Sequence, residues 1–480
     1  MSNEKKMVEQ ITSQEKDFAK WYTDVCLKAE LCYYSGVKGF VILRPYGYAL
    51  WENIMHSLDA MFKEKGVTNV AMPMLIPEHL LLKEKEHVEG FAPECAWVTH
   101  GGSEELEERL AVRPTSETLF CDYWKEVVHS HRDLPQLLNQ WCSVVRWEKE
   151  TRPFLRTREF FWQEGHTLHA TDKDSFDFTI QMLNVYVKMM EEVLAIPVIK
   201  GQKTEKEKFA GAKSTYTVES IMKDGKALQS GTSHDFGDNF ARAFDIKYLD
   251  NNNELVYATE TSWGFSSRTI GAIIMVHGDD RGLKLPPKLA PIQVRVIPIR
   301  TTDENNVNKA KSLLDNLHKA KIRADIDLTD KTPGYKFSEC EMKGIPIRLE
   351  IGPKDIEKNV CVLVRRDNGE KIETNLDDIE NSIKQLLDTI QNDMFKSAKE
   401  FLNSHIDSAI TKEELIEKMN KKTGFIKAMH CGDEACEQAL KDETGISSRC
   451  IPLDDEEALS DKCAICGKKA KYKVIWGKAY

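Results

Sequence analysis

The chain has 480 residues, 41% of them hydrophobic and 30% charged, with a formal net charge of −10. Such a length exceeds what a single hydrophobic core spans, so roughly two to four domains are expected. No apolar run approaches the roughly 20 residues needed to cross a bilayer, and the charged opening "MSNEKKMVEQITSQEKDFAKW" has no stretch of signal-peptide length, so a soluble cytoplasmic protein with no membrane partner is expected. The acidic total disfavours general nucleic-acid binding and leaves any RNA partner to local basic surfaces.

In chain order, residues 1 to 285 read as an irregular, aromatic-rich region. "VRPTSETLF" at 112 to 120 sets polar and cationic groups beside an aromatic at an element end. "LLNQWCSVVRWE" and "FLRTREFFWQEGHTL" then read as two strands flanking a short polar turn around Glu150, a hairpin whose tip reaches a ligand. Taken alone, its Arg146, Arg152, Arg156 and Arg158 also fit a solvated strand face. The crowding of cations, carboxylates and aromatic rings between residues 146 and 169 suits a small ligand that carries phosphates, a flat ring and an amine. "QSGTSHDFGDNF" at 229 to 240 and "TSWGFSSRTIGAIIMVHGDDRGLKLPP" at 261 to 287 repeat the combination of polar groups, glycine and aromatics.

The three prolines of "GLKLPPKLAP" at 282 to 291 interrupt any helix or central strand and mark a linker. Beyond it "IQVRVIPI" predicts a strand, 303 to 320 a helix, "IRADIDL" a strand, "GYKFSECEMKGI" a helix, and "IRLEIG" and "VCVLVRRD" two more strands, which together make a compact α/β domain. From Leu376 to about His405 apolar residues recur at helical spacing, predicting a long amphipathic helix that leads to the last domain. The resulting division is 1–285, 286–395 and 396–480.

Eight of the twelve cysteines are scattered singly, whereas Cys431 and Cys436 form a Cys-x4-Cys pair and Cys463 and Cys466 a Cys-x2-Cys pair. Two close pairs in a chain expected to be cytoplasmic point to a metal site and not to disulfides. Four thiolates close a tetrahedral structural zinc site and leave no open position for catalysis. His430 and Cys450 are alternative ligands, and four buried thiols the plainer reading.

These motifs together resemble the prolyl-tRNA synthetases, class II aminoacyl-tRNA synthetases, of the archaeal and eukaryotic kind, over residues from about 15 to 480. "VTNVAMPMLIPEHLL", with Pro73, resembles the first class II motif, "RWE" at 146 to 148 with its hairpin the second, and "GFSSRTIGAIIMVHGD" with Arg268 the third. The resemblance implies an antiparallel-sheet class II catalytic domain of α+β type, an α/β anticodon-binding domain and a small zinc-containing C-terminal α/β domain. It implies that L-proline is activated with ATP and Mg2+ to prolyl-adenylate and passed to the 3′ end of proline tRNA, by a homodimer that joins through the first motif.

By the same resemblance Arg146 spans the proline carboxylate and the α-phosphate, and Arg146 and Arg268 are the catalytic cations. Glu148, Arg156, Phe160, Gln229, Thr232, Ser266 and Arg268 belong to ATP, with adenine between Phe160 and Arg268. Thr115 and Glu117 take the proline amine, and Trp162, His166, Phe209 and His234 wall its ring. Each of these aromatics and histidines, considered singly, also fits ordinary core packing. The terminal Tyr480 is expected to fold its carboxylate toward the active site, where a frayed end is the plainer reading. Only about ninety residues separate the second motif from the third, which leaves no room for the editing domain that the bacterial branch inserts there, so any correction of mischarging falls to a separate trans-editing protein.

Overall fold

The computed structural model describes residues 11–83, 95–455 and 457–480. Its centre is an 11-stranded sheet. The strands run in the order Ile406–Ser408, Phe425–His430, Tyr472–Gly477, Ser447–Pro452, Ile199–Gln202, Ser214–Ile221, Ala227–Gly237, Thr259–Ser266, Glu159–His169, Gln136–Val145 and Thr68–Asn69. Neighbours are antiparallel except for the outermost pair at each edge. The four strands at the first-named end belong to the C-terminal segment, so the last domain continues the catalytic sheet through the pairing of Ile451 with Gln202.

Period-two alternation sorts side chains between the two faces of this sheet. Along Glu159–His169, Phe160, Trp162, Glu164 and His166 turn toward one cleft, while Gln163 turns to the other face and donates to the Tyr186 hydroxyl. That second face is covered by the helices Pro45–Lys63 and Asp172–Lys188, whose Phe62, Phe178, Met182 and Tyr186 are buried in one core with Trp263. The Trp263 indole packs against Gly165, where any Cβ would collide with it. The helix Asp172–Lys188 starts where Thr171 accepts a hydrogen bond from Asp174 N, with Asp172 and Asp174 in its first turn.

The hairpin strands are shorter than the sequence pattern predicts: Gln136–Val145 and Glu159–His169 are joined by residues 146–158, not by a tight turn at Glu150. The reason is apolar anchoring. Phe154 and Leu155 are buried in the core, Arg152 and Arg156 pair across a small bridge, and the Tyr22 hydroxyl donates to Pro153 O at 2.6 Å. The tip is therefore tied down instead of reaching outward.

Residues 282–291 form no regular element, as their prolines require, yet they are no slack tether. Leu283, Leu285, Leu289 and Ala290 are buried, and the Arg323 guanidinium donates to the carbonyls of Pro287, Lys288 and Ala290. The next domain is a five-stranded sheet ordered Ala324–Ile326, Val294–Pro298, Ile347–Ile351, Val360–Arg365, Lys371–Asn375, the first three strands parallel and the last two antiparallel. Its fifth strand, polar and short, was not among the predicted elements. The long helix spans Ile379–Ser404 after a 3-10 turn at Leu376–Asp378. Its Gln391 is buried and ties three regions, donating to Glu192 O and Val193 O and accepting from Lys288 N.

Candidate active site

One cleft on the exposed face of the catalytic sheet gathers twelve of the predicted substrate residues: Thr115, Glu117, Arg146, Phe160, Trp162, His166, Phe209, Gln229, Thr232, His234, Ser266 and Arg268. Seven come from three neighbouring strands, Glu159–His169, Thr259–Ser266 and Ala227–Gly237; Thr115 and Glu117 sit at the start of the helix Glu117–Val127, Arg146 just past the strand Gln136–Val145, Phe209 in the loop before Ser214–Ile221, and Arg268 at the head of the helix Arg268–His277. Register explains their company. Thr215 faces His234, Thr217 faces Thr232, and a bulge opposite Val218 and Glu219 sets Gln229 across from Glu219. Glu148 and Arg156 stand outside the lining, on the excursion above it, with Arg156 Nη1 3.6 Å from Glu148 Oε2.

One end of the cleft is an acceptor site. Thr115 Oγ1 donates to Glu117 Oε2 at 2.6 Å, and Ser262 Oγ lies 3.4 Å from Glu117 Oε1. Behind them sits Glu164, which sequence reasoning passed over. Its Oε1 accepts from Ser116 Oγ at 2.5 Å and Gln140 Nε2 at 2.6 Å, and its Oε2 from Ser116 N at 3.0 Å, with His166 Nε2 3.0 Å and Thr115 Oγ1 3.3 Å away. Burial opposes ionisation there, but His166 first and then Ser116 and Gln140 outweigh it and hold the carboxyl down at about 2. Glu260, two residues before Ser262, behaves oppositely. Burial, opposed by a 3.3 Å hydrogen bond from Cys121 Sγ and reinforced by the charge of Glu117, pushes it up to about 8.

The walls at this end are aromatic. Phe209 packs on His234 with ring centroids 4.5 Å apart, and His166 stacks on Phe120 at 4.2 Å. Burial, then the electrostatic influence of His166 and Arg146, lower His234 to about 3, so its ring is neutral, with Nδ1 3.0 Å from Thr215 Oγ1. Phe160 and Trp162 stand edge to face at 5.8 Å, and the Arg146 guanidinium lies over both, 5.6 and 5.4 Å from their centroids.

The other end carries cations. Arg146 Nε is held by Pro114 O at 3.1 Å, and Arg268 Nε by Leu155 O at 3.0 Å, which fixes the plane of each guanidinium. Burial, then Arg146 and Arg156, lower Arg268 to about 10, and Glu148 and Glu219 oppose the shift. It stays charged at neutral pH and poised for an anion. Arg113, also missed in the sequence, braces this region: its Nε donates to Ser143 O and its Nη1 to Met72 O, locking the segment around Pro73 to the hairpin strand.

A second cluster lies in the C-terminal domain. Cys436 Sγ is 3.9 Å from Cys463 Sγ, and Cys466 Sγ is 3.6 Å from Cys431 Sγ. One ligand atom each from His430, Cys431, Cys436 and Cys463 falls within 4.8 Å of the others, a group able to hold a metal ion. Burial and the neighbouring thiols push Cys436 well above the ordinary thiol range, a penalty that a bound cation removes. Cys450, the other alternative, packs elsewhere, against Gly201.

Tyr480 is docked, not frayed. Its N donates to Ala227 O at 3.2 Å, its hydroxyl bonds Asp224, and its ring lies under Lys226 and Arg152 at 4.8 and 5.7 Å. The hairpin cation that its ring meets is Arg152, not Arg146, Arg156 or Arg268.

Comparison with known proteins agrees with this geometry. Residues 97–277 match the family described as tRNA synthetase class II core domain (G, H, P, S and T), 293–386 the anticodon binding domain, and 412–480 the prolyl-tRNA synthetase C-terminal family. The chain is 62% identical over 480 residues to a proline–tRNA ligase of Clostridium novyi (strain NT), and 62% identical over 480 residues to one of Agathobacter rectalis, covering all of each. It is 60% identical over 476 residues to proline–tRNA ligase 2 of Bacillus thuringiensis subsp. konkukian, covering 99% of this chain and all of that one.

Proposed function

The chain belongs to the proline–tRNA ligases, class II aminoacyl-tRNA synthetases, and from that premise we propose how its cleft joins proline to ATP. The single supporting observation is the polarity of the cleft. An acceptor pair, Thr115 and Glu117, stands at one end, aromatic walls lie beside it, and Arg146 and Arg268 stand at the other end. Proline fits that order: its secondary ammonium meets Glu117 and Thr115, its ring lies among Trp162, His166, Phe209 and His234, and its carboxylate meets Arg146.

The reaction needs no protein nucleophile. The proline carboxylate oxygen attacks the α-phosphorus of ATP, the bond to the bridging oxygen breaks, and pyrophosphate leaves. A hydroxyl at the 3′ end of proline tRNA then takes the prolyl group and AMP departs. Two anions must approach, so fixed guanidinium forks serve better than mobile ammonium groups. Arg146 bridges carboxylate and α-phosphate, Arg268 and Phe160 sandwich the adenine, and Glu148, Arg156, Gln229, Thr232 and Ser266 hold the remainder of ATP. Glu148 and Gln229 would neighbour Mg2+, which supplies charge against the triphosphate.

Cys431, Cys436, Cys463 and Cys466 would hold a structural Zn2+. Zinc–sulfur bonds of about 2.3 Å in a tetrahedron put sulfurs about 3.8 Å apart, and the Cys436–Cys463 and Cys431–Cys466 sulfurs lie 3.9 and 3.6 Å apart. Pairing of chains to a homodimer is supported by Met74 and Leu82, which expose 56% and 61% of their surface beside the Pro73 segment. The archaeal and eukaryotic-type layout is supported by residues 170–258, which form one long helix, sheet strands and a small hairpin with no inserted domain, although the relatives named above are bacterial. A missing methylene discriminates by only about 1–3 kcal/mol, so alanine and cysteine enter the proline pocket and correction falls to a separate protein. A cytoplasmic location accords with a chain in which, among the described residues, no helix is long and apolar enough to cross a membrane.

Pyrophosphate exchange with proline, threonine, serine and cysteine tests the reading. Proline should support exchange at far the highest kcat/KM, and a preference for any of the other three would refute the pocket assignment.

A further inference from the structure

Below the cationic end of the cleft, the C-terminal domain closes a buried ion triad. Its strand Ser447–Pro452 adds to the catalytic strand Ile199–Gln202, and Gly201 makes the approach possible, since a Cβ there would come within 2.6 Å of Cys450 Sγ. The docking delivers Arg449, whose Nε and Nη2 lie 3.1 and 3.0 Å from Oε2 of Glu219. Glu219 has no exposed surface. Its Oε1 accepts from Lys203 Nζ at 2.8 Å and Thr217 Oγ1 at 3.0 Å, and Lys203 Nζ also donates to Arg449 O at 2.9 Å.

Lys203 lines the cleft. An ammonium has three donors, and two of them go to Glu219 and to the Arg449 carbonyl. Glu219 faces Gln229 and Thr217 faces Thr232 across the strand pair, so the carboxylate that anchors the triad sits at the end assigned to ATP, while Lys203 leaves the chain beside Thr215, the neighbour of His234, and reaches from there to Glu219. Burial raises the Glu219 carboxyl, but Arg449 and then Lys203 outweigh it and keep it ionised, and its charge supports the Arg268 cation.

We propose that Arg449, supplied by the C-terminal domain, is a positioning residue for ATP: by neutralising and orienting Glu219 it holds Lys203 at the cleft wall, where the third donor of the ammonium meets a phosphate oxygen of the nucleotide. The C-terminal domain thereby completes the adenylation site from outside the catalytic domain. Without Arg449 the fully buried carboxylate keeps one cation partner, and Lys203 is drawn down onto it and away from the nucleotide. This rests on the reading that Gln229 and Thr232 mark the ATP side.

The test is steady-state pyrophosphate exchange on the full chain with Arg449→Met, Arg449→Lys, Lys203→Met and Gln229→Ala, each checked by thermal melting. Arg449→Met should raise the KM for ATP by about tenfold or more, as expected for losing a charge-assisted contact, and leave the KM for proline within about twofold. Arg449→Lys, which returns a cation to Glu219, should recover most of the ATP affinity. If Arg449→Met does not accumulate folded, Lys203→Met carries the same expectation. A wild-type KM for ATP in either methionine variant, equal shifts in both KM values, or no advantage of Arg449→Lys over Arg449→Met would overturn the proposal. Gln229→Ala separates the two readings: a raised KM for ATP there upholds the ATP-side assignment even if the Arg449 variants behave as wild type.

Discussion

Replacing Glu164 by Gln changes one buried oxygen to an NH2 group and leaves shape almost untouched. Both oxygens face fixed N–H donors, Gln140 Nε2 at 2.6 Å on one side and Ser116 N at 3.0 Å on the other. Whichever way the amide turns, one donor meets another donor. A buried donor without an acceptor costs about 1–3 kcal/mol, and the charge-assisted contacts of the carboxylate are lost with it. The strain falls on the Thr115–Ser116 turn, which carries the amine-binding pair. If it is expressed in substrate binding, with tenfold in affinity per about 1.4 kcal/mol, the KM for proline rises about 5- to 150-fold. The KM for ATP, set at the other end of the cleft, should stay within about twofold. Exchange kinetics with each substrate varied, alongside thermal melting, measure both. An unchanged KM for proline, with or without a lowered melting temperature, would show that Glu164 supports only the fold and not the geometry of the amine site.

Glu260 gives a pH dependence with a definite sign. Its folded value of about 8 lies above the ordinary 4.5, so the native state keeps a proton that the unfolded chain releases, and stability falls by up to about 1.4 kcal/mol per pH unit across that window. Glu260→Gln should therefore melt progressively higher than wild type as pH rises from 5 to 8, whereas a constant difference would contradict the buried neutral carboxyl. Wild-type protein made with zinc present should carry one zinc per chain by metal analysis, and Cys463→Ser should lose it while part of the exchange activity survives; protein without bound zinc would refute the four-thiolate site. Deleting Tyr480 removes the ring from Arg152 and should lower the exchange rate several-fold without altering zinc content, and an unchanged rate would reduce this docked end to a structural plug.

Elements carried by local pattern were legible in the sequence. The i, i+3, i+4 recurrence of Ile379, Ile383, Leu386, Leu387 and Ile390 marked the long helix to within a turn, and the close cysteine pairs marked the C-terminal cluster. Twelve substrate residues were found because motif resemblance had already assembled them. What stayed hidden depends on contacts distant in sequence. Nothing near Glu164 announces that Ser116 and Gln140 will bury its carboxylate, and nothing near Arg449 points to Glu219, 230 residues away. The hairpin excursion was misjudged because the burial of Phe154 and Leu155 decides its course, and neither side chain advertises that locally. The joining of the last domain to the catalytic sheet rests on a two-residue register at Gly201 and Gln202, a signal too short to see without the fold.

The most direct measurement is single-turnover formation of enzyme-bound aminoacyl-adenylate from radiolabelled ATP, for wild type and Arg146→Ala, with proline and with threonine. Arg146 is held by Pro114 O and spread over Phe160 and Trp162, at the point where carboxylate and α-phosphate must meet. Loss of two charge-assisted contacts of about 1.5–3 kcal/mol each should slow adenylate formation about 10²- to 10⁴-fold. The expected result is rapid prolyl-adenylate formation by wild type, little product with threonine, and near absence of product from a fully folded Arg146→Ala protein. Adenylate formed at an undiminished rate by Arg146→Ala, or formed as readily with threonine as with proline, would contradict the placement of the reaction in this cleft.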